Sequence, residues 1–398
     1  MRPVLRTEGP MVFISETPMG ARPPFPSFAL HHSDTFDLSR LHSRRPSDRL
    51  KIAMLVPLSG PAGLWGPSCQ TSARLGCQEI NAAGGILGRE VELIFSDAGG
   101  DPDAIAADTM DLLAETGAEA IVGMHISAVR QALIRKLRGR LPYVYTPVYE
   151  GGERSHGVFM IGETPSQQLK PAIKWLAEHR RARRWFLIGN DYVWPRQTHR
   201  AAQRYIKATG GHIAGVSYVP FGCVDHEPYL DKIRRESPDA VLVSMVGSDC
   251  VMFNRAFAEK GLTSILRLST ASEENTLLGI GARKSDNLYF TTGYLSELNT
   301  QDNLAFLDRY QTSFGSDAPV LNTIGQSCYE GLRLYAELSH RARSVRVDAL
   351  SEAAEGLSYT SARGHVTMRS RHLYSDMYLA QADRLRFSVV AHFPATSA

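Results

Sequence analysis

Lys51-Ile-Ala-Met-Leu-Val-Pro57 is a continuous apolar run that stops at Ser59-Gly60-Pro61. A short run of this kind, closed by turn residues, reads as a parallel strand buried on both faces whose carboxyl end opens into a loop. The stretch that follows, Gly66 to Asn81, has helical spacing and ends in Ala82-Ala-Gly-Gly85, a glycine stop. Val91-Glu-Leu-Ile-Phe-Ser-Asp97 is the next strand, and Asp103 to Glu115 the next helix, with Asp101 or Asp103 placed to cap it. Glu119 to Gly123 is a third strand, Ser127 to Arg138 a helix, and Pro142 to Thr146 is extended. Strand and helix therefore alternate, which predicts a parallel sheet with helices on both faces.

The alternation then restarts. Helices over Gln167–His179, Arg196–Ala208, Tyr229–Glu236 and Cys250–Glu259 interleave with strands over Trp185–Gly189, Ile213–Phe221, Ala240–Val246 and Ile265–Thr270. Three further helices, Asn303–Phe314, Thr323–His340 and Val347–Ala354, precede late strands over His365–Met368 and Tyr378–Phe393. The expectation is an α/β protein of two doubly wound, Rossmann-like lobes joined by a multi-strand hinge. Residues 50–163 plus 294–358 would form the first lobe, 164–293 plus 359–398 the second, and 1–49 a disordered tail.

That tail holds seven of the 21 prolines and shows neither helical nor strand periodicity. Its longest apolar run, Met11 to Ile14, is too short for a secretory signal, so the expectation is a cytoplasmic protein, or a periplasmic one if the start is misassigned. A chain of 398 residues that is 43% hydrophobic and 21% charged can build two cores. Its formal charge of +3 is scattered, which argues against direct nucleic-acid binding, and no apolar run reaches the about 18 residues of a membrane span. Five cysteines, at 69, 77, 223, 250 and 328, include no C-x-x-C pair and read as reduced, mostly buried side chains.

Signatures of the common catalytic sites are missing: no G-x-S-x-G, P-loop, H-E-x-x-H or complete G-x-G-x-x-G occurs. His226-Glu227 lacks the second histidine of a zinc motif, and Gly279-Ile-Gly281 reads as a helix end. Arg180-Arg-Ala-Arg-Arg184 lies where a helix meets a strand and reads as a solvated helix end. Neither an enzyme nor a metal or cofactor site is expected.

In open α/β sheets, ligands bind outside the carboxyl ends of strands. Those ends carry Ser59 and Gly60, Gly123-Met-His125-Ile-Ser127, and Tyr145-Thr146-Pro-Val-Tyr149-Glu150 in the first unit. In the second they carry Asn190-Asp-Tyr192-Val-Trp194, Gly247-Ser248-Asp249 and Thr270-Ala-Ser272-Glu273. Hydroxyls and aromatics thus converge from both lobes, the composition of a cleft site. Ser127 and Ser272 also stand where a serine caps a helix.

Leu187-Ile-Gly-Asn-Asp-Tyr-Val-Trp-Pro-Arg196 and Tyr149-Glu150-Gly151 resemble hallmark runs of the amide and urea-type branch of the type I periplasmic-binding-protein superfamily. The resemblance extends over most of Leu50 to Phe393, including Asn81 to Arg89, Asp97 with Gly100-Asp-Pro102, and Gly364 to Met368. It implies the bilobed fold of that superfamily and a pocket lined by Ser127, Tyr145, Thr146, Tyr149, Tyr192 and Glu273. His125 and Ser248 join them from the strand-end reading. Departures are Met124 for a usual cysteine, His125 for a usual aromatic, Asn190 for a usual serine, and a shifted proline in Thr146-Pro-Val148.

The branch contains cytoplasmic amide sensors, similar to the aliphatic-amidase negative regulator, and exported receptors that feed ABC transporters. The resemblance implies a sensor for a short amide, urea or amino-acid-like ligand, acting by cleft closure on an RNA-binding antiterminator. The alternative is the substrate-binding component of an ABC permease for urea, amides or branched-chain amino acids. Homo-oligomers are compatible with either.

Overall fold

The computed structural model describes residues 49–395. The tail expected over 1–49 lies, apart from Arg49, outside the described residues.

The order of elements is β1 (Arg49–Val56), α1 (Gly66–Ala82), β2 (Glu90–Asp97), α2 (Pro102–Thr116), β3 (Ala120–Gly123), α3 (Ser127–Leu137), β4 (Tyr143–Tyr145) and β5 (Val158–Met160). The second series is α4 (Pro165–His179), β6 (Arg184–Asn190), α5 (Val193–Ala208), β7 (His212–Val219), α6 (Glu227–Glu236), β8 (Ala240–Ser244), α7 (Gly247–Glu259), β9 (Leu266–Ser269), α8 (Glu274–Ile280) and β10 (Leu288–Thr292). Then come α9 (Gln301–Phe314), α10 (Thr323–Ala342), α11 (Val347–Ala354), β11 (Ser358–Ser361), β12 (Gly364–Arg369), β13 (His372–Tyr374), β14 (Met377–Asp383) and β15 (Arg386–Phe393).

Among the described residues the strands form two sheets, ordered β11-β12-β13-β5-β4-β3-β1-β2 and β15-β14-β10-β9-β8-β6-β7. In each the early strands run parallel, and β1 and β6 lie where the strand order reverses. Ile52 to Val56 are fully buried, which is why β1 reads as an unbroken apolar run rather than an alternating one.

Two local expectations change. The segment 359–398, expected in the second lobe, divides: β11–β13 pair in the first sheet, and only β14 and β15 join the second. Strand alternation specifies a half-buried edge without specifying which sheet's edge, so only the pairing of His372 with Met160 decides it. Ser127 and Ser272 are not helix caps: Ile126 holds that position for α3, and Glu273 caps α8. Asp101 does cap α2, accepting from Asp103 N and Ala104 N.

Three chain crossings join the sheets: β5 to α4, β10 to α9, and β13 to β14. Glu163, in the first, accepts from Gly293 N of the second at 3.0 Å and from Arg363 Nη1 at 2.8 Å. Arg363 Nε in turn donates to Gln326 Oε1 at 2.6 Å. All of this is buried, so the junction is held by charge-assisted bonds as well as by backbone.

The lobes are closed on each other. Trp65, Met124 and Ile324 of the first share one apolar cluster with Trp194, Val246 and Ala271 of the second. Gly247, at φ +46°, sits so close to Pro61 that a Cβ there would strike the Pro61 carbonyl.

Candidate ligand site

A cavity of about 30 Å3 lies where the strand ends of the two lobes meet. The first lobe contributes Trp65, Met124, His125, Ser127 and Tyr145, the second Tyr192, Trp194, Val246 and Ala271, and α10 closes it with Ile324. Each lies at or just beyond the end of a strand or at the start of a helix, because parallel strands end on the same side of a sheet.

Beneath Ser127 lies a buried ionic network. Ser127 Oγ donates to Glu150 Oε2 at 2.7 Å, and Arg130 Nη2 binds Glu150 Oε1 at 2.6 Å. Arg130 Nε stands 3.3 Å from Glu153 Oε2, and its guanidinium lies over the rings of Tyr145 and Tyr149 at 5.0 and 5.1 Å. Burial works against the Glu153 anion, yet bonds from Ser155 and the charge of Arg130 hold its carboxyl below the ordinary range.

Tyr145 Oη donates to the His125 carbonyl at 2.8 Å. His125 Nδ1 lies 3.2 Å from the Ile126 carbonyl, and Nε2 lies 2.9 Å from Tyr143 Oη. Those partners suit a neutral ring that donates from Nδ1 and accepts at Nε2. Burial, with Arg130 nearby, pushes its pKa down to about 3, so His125 carries no charge at neutral pH. The protons of Ser127 and Tyr145 are thus committed to protein acceptors, so toward a ligand both oxygens act as acceptors, that of Ser127 shared with Arg130 Nη1 at 3.4 Å.

Besides α1 after Trp65 and α10, whose first turn holds Ile324, the helices α3 after Ile126, α5 after Tyr192 and α7 after Val246 start at this cavity. Like α1, α6 and α11, the helices α3, α5 and α7 have no side-chain cap, whereas α2, α8, α9 and α10 are capped by Asp101, Glu273, Thr300 and Asn322. The first N–H groups of a helix have no partner within it, so three partial positive charges converge on one space.

The structure brings His125, Ser127, Tyr145 and Tyr192 to the cavity wall. Glu273 stands one layer back: Trp65 Nε1 donates to its Oε1 at 2.7 Å, bridging the lobes, and burial raises its pKa despite bonds from Thr276 and Asn275. Thr146 is turned toward α10, bonded to Ser327 Oγ at 3.1 Å. Tyr149 is buried with its hydroxyl unpartnered and its ring stacked on His372. Ser248 is exposed in the first turn of α7 and is not brought to the cavity. Trp65 and Ile324 were missed. Trp65 follows β1 in the loop at its carboxyl end, a position that could have drawn attention to it; Ile324 carries no local signal.

Behind Glu273, the Glu274 carboxyl is buried with Oε2 unpartnered, and burial, with Glu297 and Glu273 close by, raises its pKa to about 8. The unfolded chain therefore releases this proton near the ordinary value of 4.5 and the folded chain only near 8. Stability from this group is full below the lower value and is lost as pH rises to the upper one. Glu274→Gln should flatten that decline in chemical denaturation at pH 5 to 8.5; an unchanged slope would assign it to other groups.

Two α/β lobes packed over an aromatic-walled cavity at their facing strand ends define a bilobed ligand-binding protein. The chain belongs to the periplasmic binding protein family, whose model matches residues 49–386, and its fold is that of the type I members. These are solute-binding proteins and not enzymes. The chain is similar to Leu/Ile/Val-binding protein homolog 4 of Brucella abortus (strain 2308), 20% identical over 344 residues covering 81% of each chain. It is also similar to homolog 8 of that organism, 22% identical over 286 residues, covering 67% of this chain and 70% of the relative. Among solved structures, a solute binding protein of an ABC transporter from Rhodopseudomonas palustris HaA2, in complex with p-hydroxybenzoic acid, superimposes with TM-score 0.80 at 20% identity, covering 87% of this chain and 98% of that one. The branched-chain amino acid transporter substrate binding protein of Streptococcus pneumoniae, in complex with isoleucine, gives 0.76 at 20% identity, covering 87% and 99%.

Proposed function

We propose that this chain is the substrate-binding component of an ABC importer and that its ligand is a zwitterionic α-amino acid with an apolar side chain. The observation that carries this reading is the pairing of opposite features around one cavity. The uncapped starts of α3, α5 and α7 favour a carboxylate. The acceptor oxygens of Ser127 and Tyr145, with Glu150 and Glu273 behind the wall, favour an ammonium. A carboxylic acid alone leaves the acceptors unused; urea or an aliphatic amide offers the helix starts a neutral carbonyl in place of a negative charge. The names of the relatives support the transport role over the amide-sensor reading of Leu187–Arg196. An importer component works outside the cytoplasmic membrane with a permease as partner.

Calorimetry with leucine, isoleucine, valine, methionine, p-hydroxybenzoate, acetamide and urea tests the class. Binding of amino acids but not of amides or urea is expected; amide or urea binding alone would restore the sensor. Ser127→Ala and Tyr192→Phe should each weaken the bound amino acid by about 1–3 kcal/mol, fivefold to more than a hundredfold; the thermal transition should change little in Tyr192→Phe and fall in Ser127→Ala, which also loses the bond to buried Glu150. Unchanged affinity in both variants would remove these side chains from the site. Fractionation of cells tests location, and recovery from the cytoplasm would count against import.

A further inference from the structure

The inner cavity, about 30 Å3, has room for about two water molecules in all, enough for the charged ends of a head group and not for a side chain. Next to it lies a second chamber of about 290 Å3, close to the roughly 300 Å3 at which ordinary small-ligand sites begin. The two share Ala62, Ile126, Tyr192 and Val246, so the second adjoins the first across these four side chains. Its lining includes buried Ala98 and exposed Gly100 of the β2–α2 turn and, from the second lobe, Phe221. Among the described residues that line it, the Tyr192 hydroxyl is the only polar side-chain group. Phe221 is 38% exposed, with its ring 5.1 Å from that of Tyr192, an aromatic face left open over apolar space.

We propose that the outer chamber receives the ligand's side chain, and that the substrates are amino acids with long, unbranched apolar side chains. This rests on the amino-acid reading of the inner cavity and says what the ligand carries beyond its head. A chain leaving the head must pass Ala62, Ile126, Tyr192 and Val246, the residues common to both spaces. A slender chain passes that neck, whereas a Cβ branch, as in valine or isoleucine, places an extra carbon where the inner cavity has no volume. Beyond the neck, each methylene is removed from water by Phe221, Pro102 and the backbone at Gly100.

The test is a homologous series, 2-aminobutyrate, norvaline, norleucine and 2-aminoheptanoate, measured beside valine and isoleucine by calorimetry. Each added methylene should lower Kd about fourfold, and norleucine should bind more tightly than isoleucine. Gly100→Leu should flatten that slope by filling the chamber, since a Cβ at Gly100 meets only Ile105 Cδ1, at 4.0 Å. Phe221→Ala, at an exposed position, should reduce the slope by removing its ring from the lining. Affinity that peaks at valine or isoleucine and falls for longer chains overturns the proposal and leaves the amino-acid reading standing. A slope unaltered by both variants also overturns it. If no amino acid in the series binds, the reading of the inner cavity fails, and the proposal with it.

Discussion

Arg130→Met is expected to lower the unfolding free energy by about 3–5 kcal/mol, because it leaves two buried carboxylates without a cation. The Arg130 side chain is 3% exposed, that of Glu150 7% and that of Glu153 11%, so water cannot replace the lost partner. The stacking of the guanidinium on Tyr145 and Tyr149 goes with it. The deficit should depend on pH in a definite direction. Glu153 is held below the ordinary carboxyl range partly by Arg130, so its contribution is present above that range and disappears as pH falls through the folded value. Variant and parent should therefore differ most near neutrality and converge in acid, as measured by urea denaturation from pH 7 to 3. A constant difference would mean that the charge of Arg130 matters less than its packing. Ligand affinity should fall as well, since Glu150 holds the Ser127 hydroxyl in place.

Arg363→Met is expected to cost about 3–5 kcal/mol at the junction of the lobes. Glu163 and Gln326 Oε1 would each lose a donor from Arg363, and Gly293 N would remain as the bond to the Glu163 carboxylate. The partner variant Glu163→Gln and the double variant complete a cycle. Removing both charges should recover part of the loss, because a buried pair replaced as a whole is much less costly than one broken. Strict additivity in denaturation experiments would show that the two side chains are not coupled. The same variants should alter ligand affinity through the closing equilibrium, since Glu163 ties the first crossing to the second.

The parallel strands of both lobes were readable because strands buried on both faces must be continuous apolar runs, as in Ile52–Val56 and Phe186–Ile188. Strand β5 was not found: Val158–Met160 is three residues long, too short for any periodicity to register. His125, Ser127, Tyr145 and Tyr192 were readable as wall residues because the carboxyl end of a parallel strand is defined along the chain. Thr146 and Tyr149 come from the same strand end and were not separable from them by that rule. Which of several successive residues faces the cleft depends on how the loop turns, and Thr146 turns to Ser327, 181 positions away.

The sequence by itself determined the two α/β lobes and the set of strand ends between which a ligand is held, because burial and turn chemistry are local properties of a chain. Only the tertiary structure decided that β11–β13 complete the first sheet, that Trp65 reaches Glu273 across the cleft, and that Ile324 closes the inner cavity from α10. It also decided that Ser127 is oriented by Glu150 instead of capping its helix, and that Tyr192 stands between a small inner and a larger outer space. These are relations between residues far apart along the chain. Periodicity states how deeply a residue is buried and does not state against what, so such relations exist only once the lobes have closed on each other.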